Sequence, residues 1–194
     1  MNSVENERAP TSPRVPGIIR VLDAYREQGC EVILGNPDDL LTQLAKGGRV
    51  LRISASLSLS DILVFQWAAD LAPWRRVLVI GNAFGFSTFL LASLCPECSV
   101  DAIDAEIEGS ENRSGSELTR KIAANNFPRV QLTRGFPPQD LLQAARFDAY
   151  DFILIDGLHT IDQLVADYQG IRDMMAQTCV VYCHDVGIAK MDAG

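Results

Sequence analysis

The 194-residue chain contains two histidines, and each stands next to or three residues from an aspartate: Asp156-Gly-Leu-His159 and His184-Asp185. An imidazole changes charge near working pH and suits a general base, while carboxylates grouped with an imidazole suit a divalent cation. The spacing points to His159, with Asp156, as the catalytic pair. It points to Asp156, His184 and Asp185 as a divalent-metal site open to substrate. The competing reading is that both imidazoles only hydrogen-bond loop backbone. Upstream, Gly81-Asn82-Ala83-Phe84-Gly85-Phe86-Ser87 follows the apolar run Val77–Ile80. Glycines allow close backbone approach, and a helix beginning after them offers free N–H groups. Ala83 takes the second glycine place of the dinucleotide fingerprint and there is no P-loop lysine, so a smaller nucleoside without a pyrophosphate fits better. Any tight strand-to-helix turn could also use these glycines. Asp104, some twenty residues on (~20 in the dinucleotide fold), is placed to accept from ribose hydroxyls. Its alternative is a solvated loop acid beside Glu106 and Glu108.

These residues need a scaffold that puts them at one edge. Short Val/Ile-rich runs at 76–80, 99–103, 130–133, 150–155 and 179–183 read as strands buried on both faces. Between them lie helical patterns at 86–94, 114–125, 139–145 and 161 onward. Ser114-Gly-Ser-Glu117 and Thr160-Ile-Asp-Gln163 read as helix caps, and Ile161, Leu164, Val165, Tyr168, Ile171 and Met175 form one apolar stripe. Such alternation specifies an α/β fold with a doubly wound, mostly parallel, Rossmann-like sheet. In that sheet ligands lie beyond the strand carboxyl ends, where all the residues above fall. Before it, 1–17 is Pro-rich and reads as a flexible tail, and 18–57 as a helical and extended segment. Within that segment Ile18 to Val32 reads as a helix closed by Gly29, 38–45 as a short helix and 49–57 as a strand or an extended approach. Ser58-Leu-Ser-Asp61 reads as a capping box opening a helix to about Leu71. The nucleoside-binding domain is expected over 58–194.

A chain with 47% hydrophobic residues can bury a core without staples. Net charge −8 argues against a nucleic-acid partner, which needs a basic footprint. No stretch approaches the ~20 apolar residues of a membrane span, and the first 17 residues lack a secretory apolar region. Five cysteines, an odd number at irregular spacing, suggest reduced thiols and a cytoplasmic location. Cys95-Pro-Glu-Cys98 has no second pair for zinc.

The glycine loop, the ribose acid and the two acid-bearing strand ends together resemble the class I S-adenosylmethionine (SAM)-dependent methyltransferases. The similarity is greatest to small-molecule O-methyltransferases of the catechol and macrocin type. It covers about 58–187, most specifically VLVIGNAFGFS, VDAIDAE, RGFPPQDLL, YDFILIDGLHTIDQLVADY and VVYCHDVG. It implies a cofactor site in which Gly81, Asn82 and Gly85 border the methionine part of SAM and Ser87 lies near its carboxylate. Asp104 would bind ribose, Gly135, Phe136 and Asp140 would frame adenine, and Asp156 would serve both cofactor and metal. Asp156 and Asp185 match metal positions, with Mg2+ or another divalent cation implied. His184 departs from the family's aspartate, and Val186 is neither acid nor amide. His159 stands where catechol-type enzymes carry a basic catalytic residue. The implied reaction is in-line methyl transfer to a hydroxyl of a small molecule.

The family's sheet continues for two more strands, so this one is expected to be cut short after its fifth strand. That leaves an edge for the N-terminal segment or a second copy in a homo-oligomer to cover. Two other readings are weighed. A non-catalytic nucleoside- or partner-binding module would keep the fold but has little need of both histidines beside aspartates. A nicotinamide-dependent oxidoreductase lacks its third glycine.

Overall fold

The computed structural model describes residues 15–36, 39–53, 57–107 and 110–186. Five parallel strands form the main sheet in the order β6-β5-β4-β7-β8. They are β4 (Arg76–Ile80), β5 (Ser99–Asp104), β6 (Val130–Arg134), β7 (Tyr150–Ile155) and β8 (Met175–Cys183). The helices are α1 (Val15–Glu27), α2 (Leu59–Leu71), α3 (Phe86–Leu94), α4 (Ser110–Asn126), α5 (Leu141–Ala144) and α6 (Ile161–Ile171). The sheet is the doubly wound one that the alternation predicts, and strand order reverses at β4.

Side-chain alternation along the strands divides the core in two. Val77, Val79, Phe152 and Leu154 face one side, with Phe65, Trp74, Phe89 and Ile122. Leu78, Ile80, Ile153 and Ile155 face the other, with Leu141, Ile171 and Met174. Trp74 lies 4.1 Å from Phe152, and Phe65 sits edge-on to Phe152 at 5.6 Å. The middle strands β4, β5 and β7 are buried almost throughout, as double-sided cover requires. The flanking strands are not: β6 and β8 are half-exposed, so the expectation of burial on both faces fails there.

The N-terminal segment departs from its sequence reading. Where a short helix is expected over 38–45, the chain forms strand β2 (Asp39–Lys46). With β1 (Cys30–Asn36) and β3 (Arg49–Ile53) it makes a small antiparallel sheet. Gly47 and Gly48 adopt φ +58° and +75° and pair Lys46 with Arg49. That two-glycine hairpin turn overrides the weak helical pattern. Helix α1 stops at Glu27, and the expected closure at Gly29 is made by a left-handed turn at φ +72°, after which the pattern as far as Val32 is strand β1 and not helix.

Three smaller differences concern helices. Helix α4 begins at Ser110, before the expected cap at Ser114. At α6, Thr160 accepts from the Gln163 N–H, but Gln163 turns its amide to Pro137 and Asp167, so the reciprocal bond of a capping box is not made. The stripe on α6 is only partly a core face: Ile171 is buried, Ile161, Val165 and Tyr168 stand about half exposed, and Met175 belongs to β8. Of the flexible tail expected over 1–17, residues 15–17 instead open helix α1; residues 1–14 and the terminal residues 187–194 lie outside the described residues. Among the described residues, no helix is long and apolar enough to cross a membrane.

Candidate active site at the strand carboxyl ends

All five main-sheet strands deliver candidate residues to one edge, β6 contributing Gly135 and Phe136. After β4 the backbone turns at Gly81 (φ +88°) and Gly85 (φ +86°). A Cβ on Gly81 would lie 1.9 Å from the Asp156 carbonyl oxygen, and one on Gly85 would lie 2.6 Å from Thr119 Oγ1. The missing side chains therefore let the turn close onto the chain itself, onto the β7 end and onto α4. Gly115 of α4 has the same role, because a Cβ there would meet the Ala83 carbonyl oxygen at 2.3 Å.

The turn is tied down from every side. Asp104, 6% exposed, accepts from the Asn82 and Ala83 N–H groups, both at 2.8 Å, and from the Glu106 N–H at 2.7 Å. Asn82 accepts from the Thr88 hydroxyl and donates to Thr119. The buried Tyr25 hydroxyl donates to the Phe84 carbonyl at 2.8 Å. Tyr25 lies wholly in the interior, and burial drives its phenol pKa far upward. Gly85 caps α3 without any side-chain hydrogen bond to its first turn, which includes Phe86, Ser87 and Thr88, all buried. Donors of a first helical turn have no partner within the helix and carry partial positive charge.

These features fit a nucleoside amino acid. The uncapped turn at Ser87 suits a carboxylate. Asp104 keeps acceptor capacity on Oδ1, which takes only the Glu106 N–H among the bonds to this side chain. Next to it, the Gly135 N–H donates to the Asp104 carbonyl, and Asp140 closes a loop by accepting from the Phe136 N–H at 2.7 Å. Phe136 is 41% exposed, so its ring is available to flank a base.

The second group lies beyond β7 and β8. His184 Nδ1 is 3.0 Å from Asp156 Oδ1 and 3.4 Å from Asp185 Oδ2, and its Nε2 is 3.4 Å from Asp61 Oδ2. Burial pushes the His184 pKa down. The hydrogen bond to Asp156 and the charges of Asp156, Asp185 and Asp61 outweigh it and raise the pKa to about 9. His159 is more exposed and lies 3.4 Å from Asp185 Oδ2. Asp156, His184 and Asp185 each present one ligand atom within 4.8 Å of the others. They can hold a divalent cation only with His184 deprotonated, because its ring now faces carboxylates at both nitrogens.

Ala83 (φ +45°), Glu106 (φ +53°) and Asp185 (φ +58°) are the non-glycine residues with positive φ among those described. All three lie along this edge. Such conformations cost on the order of 1–3 kcal/mol each and concentrate at functional sites.

The structure thus brings the predicted residues into two adjoining groups that touch where Gly81 meets Asp156. Sequence reading missed Asp61 and Tyr182 at the second group, and Tyr25, Gly115 and Thr119 beneath the first. One signal was readable: Tyr182 near the end of β8 lies two residues before His184, a spacing that strand alternation places on one face. The five cysteines are free thiols. Burial pushes Cys98 up to about 12, which suits packing rather than reactivity.

A family model described as a methyltransferase domain matches residues 78–186. No curated protein matches the chain by sequence. Solved structures share its fold. One is the O-methyltransferase from Bacillus cereus in complex with SAH: TM-score 0.57, 18% identity, covering 90% of this chain and 68% of that one. A second is TomG from Streptomyces achromogenes, an O-methyltransferase of tomaymycin synthesis in complex with SAM: TM-score 0.57, 19% identity, covering 93% and 66%. A third is cofactor-bound Rv0187 from MTB: TM-score 0.56, 20% identity, covering 87% and 64%. The chain spans about two thirds of the length of these neighbours.

Proposed function

The chain belongs to the methyltransferase-domain family matched over residues 78–186, and on that premise we propose that it transfers a methyl group from SAM to a hydroxyl of a small molecule. The observation that carries this reading is the pairing of a prebuilt nucleoside cradle with an acid–base cluster at one edge. The fold neighbours that are O-methyltransferases, one holding SAM and one SAH, support the cofactor and the oxygen acceptor.

SAM supplies an electrophilic methyl group on a cationic sulfonium. The chain's share is binding, orientation and proton removal. The α3 first turn, with Ser87, receives the amino-acid carboxylate. Asp104 receives ribose hydroxyls through its unused acceptor capacity, and Phe136 flanks the base. His159 is exposed and held by Asp185, so it can reach an acceptor at the mouth and take its proton. Asp156 and the His184 group set the charge beneath. If His184 releases its ring proton, Asp156, His184 and Asp185 fit a divalent ion, which would lower the acceptor hydroxyl's pKa. A nitrogen donor among them favours Mn2+ or Zn2+ over Mg2+.

The test is transfer of label from methyl-labelled SAM to a panel of phenols, catechols and glycosides, with Mn2+, with Mg2+ and with chelator. Label in an O-methyl product, inhibited by SAH but not by NADH, is expected. Inhibition by NADH, or no retention of SAM by folded protein, contradicts the reading.

A further inference from the structure

Asp61 belongs to none of the motifs that mark the site, yet its carboxylate enters it. It lies in the first turn of α2 and is 8% exposed. Its Oδ2 accepts from the Ser58 N–H and the Ser58 hydroxyl, both at 2.7 Å. Its Oδ1 accepts from the Tyr182 hydroxyl, 121 residues away in sequence. The same Oδ2 lies 3.4 Å from His184 Nε2.

We propose that Asp61 is a positioning residue: it holds the Nε2 side of His184 so that Nδ1 is presented to Asp156 and Asp185. A capping box alone does not call for this arrangement. The box needs an acid that accepts from the N-cap N–H, and an acid facing water satisfies it. Here the acid is buried and takes a phenol and an imidazole from β8 as well. A buried carboxylate is tolerated only when such partners compensate its lost hydration. An imidazole fixed at both nitrogens cannot turn over, because rotation would place ring carbons against the carboxylates. Phe65 supports the arrangement by packing edge-on against Tyr182 at 4.9 Å, one helical turn beyond Asp61. The start of α2 is thereby part of the catalytic edge.

Only the effect on turnover rests on the methyl-transfer reading; the ring's position can be read without an acceptor. The experiment records two-bond 1H–15N correlations of the imidazoles in the full chain. There are two histidines to assign, and His159→Gln identifies each. In the wild type, His184 is expected to show a slowly exchanging Nε2 proton. Fast exchange there overturns the proposal. Asp61→Asn keeps the shape and one oxygen for the cap, but removes the charge that faces Nε2 and puts an N–H donor where Oδ1 accepts from Tyr182. It is expected to move the His184 ring signals, leave those of His159 in place, and lower kcat about 10- to 100-fold with little change in KM for SAM. Unmoved His184 signals in folded Asp61→Asn overturn it. Ser58→Ala is the control: it weakens the cap but leaves His184 unmoved. An equal shift in Ser58→Ala would show that helix fraying, not Asp61, moves the ring, and would overturn it too. If Asp61→Asn does not fold, the wild-type exchange measurement still decides.

Discussion

The two groups at the carboxyl edge are held by different means. The glycine turn is held by backbone: three N–H groups converge on Asp104, and the Phe84 carbonyl is fixed from α1 by Tyr25. It sits over strands β4 and β5, which are buried almost throughout. The histidine group is held side chain to side chain, by charge, at the end of the half-exposed strand β8. Backbone anchoring makes a cradle whose shape follows from the fold. Charge anchoring makes a cluster whose shape depends on protonation and on what binds there. A cofactor common to a family suits the first, and a variable acceptor suits the second.

Substitutions should separate the two halves, and the largest effect is expected where they touch. Gly81→Ala puts a Cβ into the Asp156 carbonyl at a positive φ. It is expected to destabilise the protein by more than about 3 kcal/mol. Gly157→Ala, whose Cβ would meet nothing nearer than Ile80 Cγ2 at 3.4 Å, should cost less than about 1 kcal/mol. Denaturant melts of the pair check this, and equal losses would show that the two halves are not in backbone contact at Gly81.

The next effect is electrostatic. The folded pKa of His184 is raised from 6.5 to about 9. Its contribution to stability is therefore complete below about pH 6.5 and is lost as pH rises through about 9. Metal-free protein should lose up to about 3 kcal/mol across that window, and His184→Gln should flatten the profile. A wild-type profile level from pH 6.5 to 9 would mean that the imidazole is not held by its carboxylates.

Asp104→Asn should cost about 2 kcal/mol, since three N–H groups lose a charged acceptor. The smallest effect belongs to His159, which is exposed at the mouth. His159→Ala should change stability by less than about 0.5 kcal/mol and leave SAH affinity alone, while removing most turnover. Unchanged turnover would take it out of the mechanism.

The main sheet was legible because its Val/Ile runs and caps are local signals, and the parallel order follows from the alternation. The Ser58–Asp61 box marked α2 to the residue. What stayed hidden was long-range. The same Asp61 carboxylate that caps a helix also faces β8, and no spacing in the sequence records that meeting. Tyr25 and Thr119 support the glycine turn from helices distant in sequence, and each reads alone as an ordinary core residue. The hairpin at Gly47-Gly48 was misread for the opposite reason. Its turn signal was present, but Leu40, Leu41 and Leu44 also fit a helical spacing.

The glycine turn and Asp104 are expected to hold the nucleoside independently of the histidine group. Calorimetric titration of SAH into wild type, Asp104→Asn and Asp185→Asn checks this. Binding of about micromolar strength is expected in wild type. A loss of about tenfold or more is expected in Asp104→Asn, and wild-type affinity in Asp185→Asn. No binding by folded wild type, or equal weakening in the two variants, would contradict it.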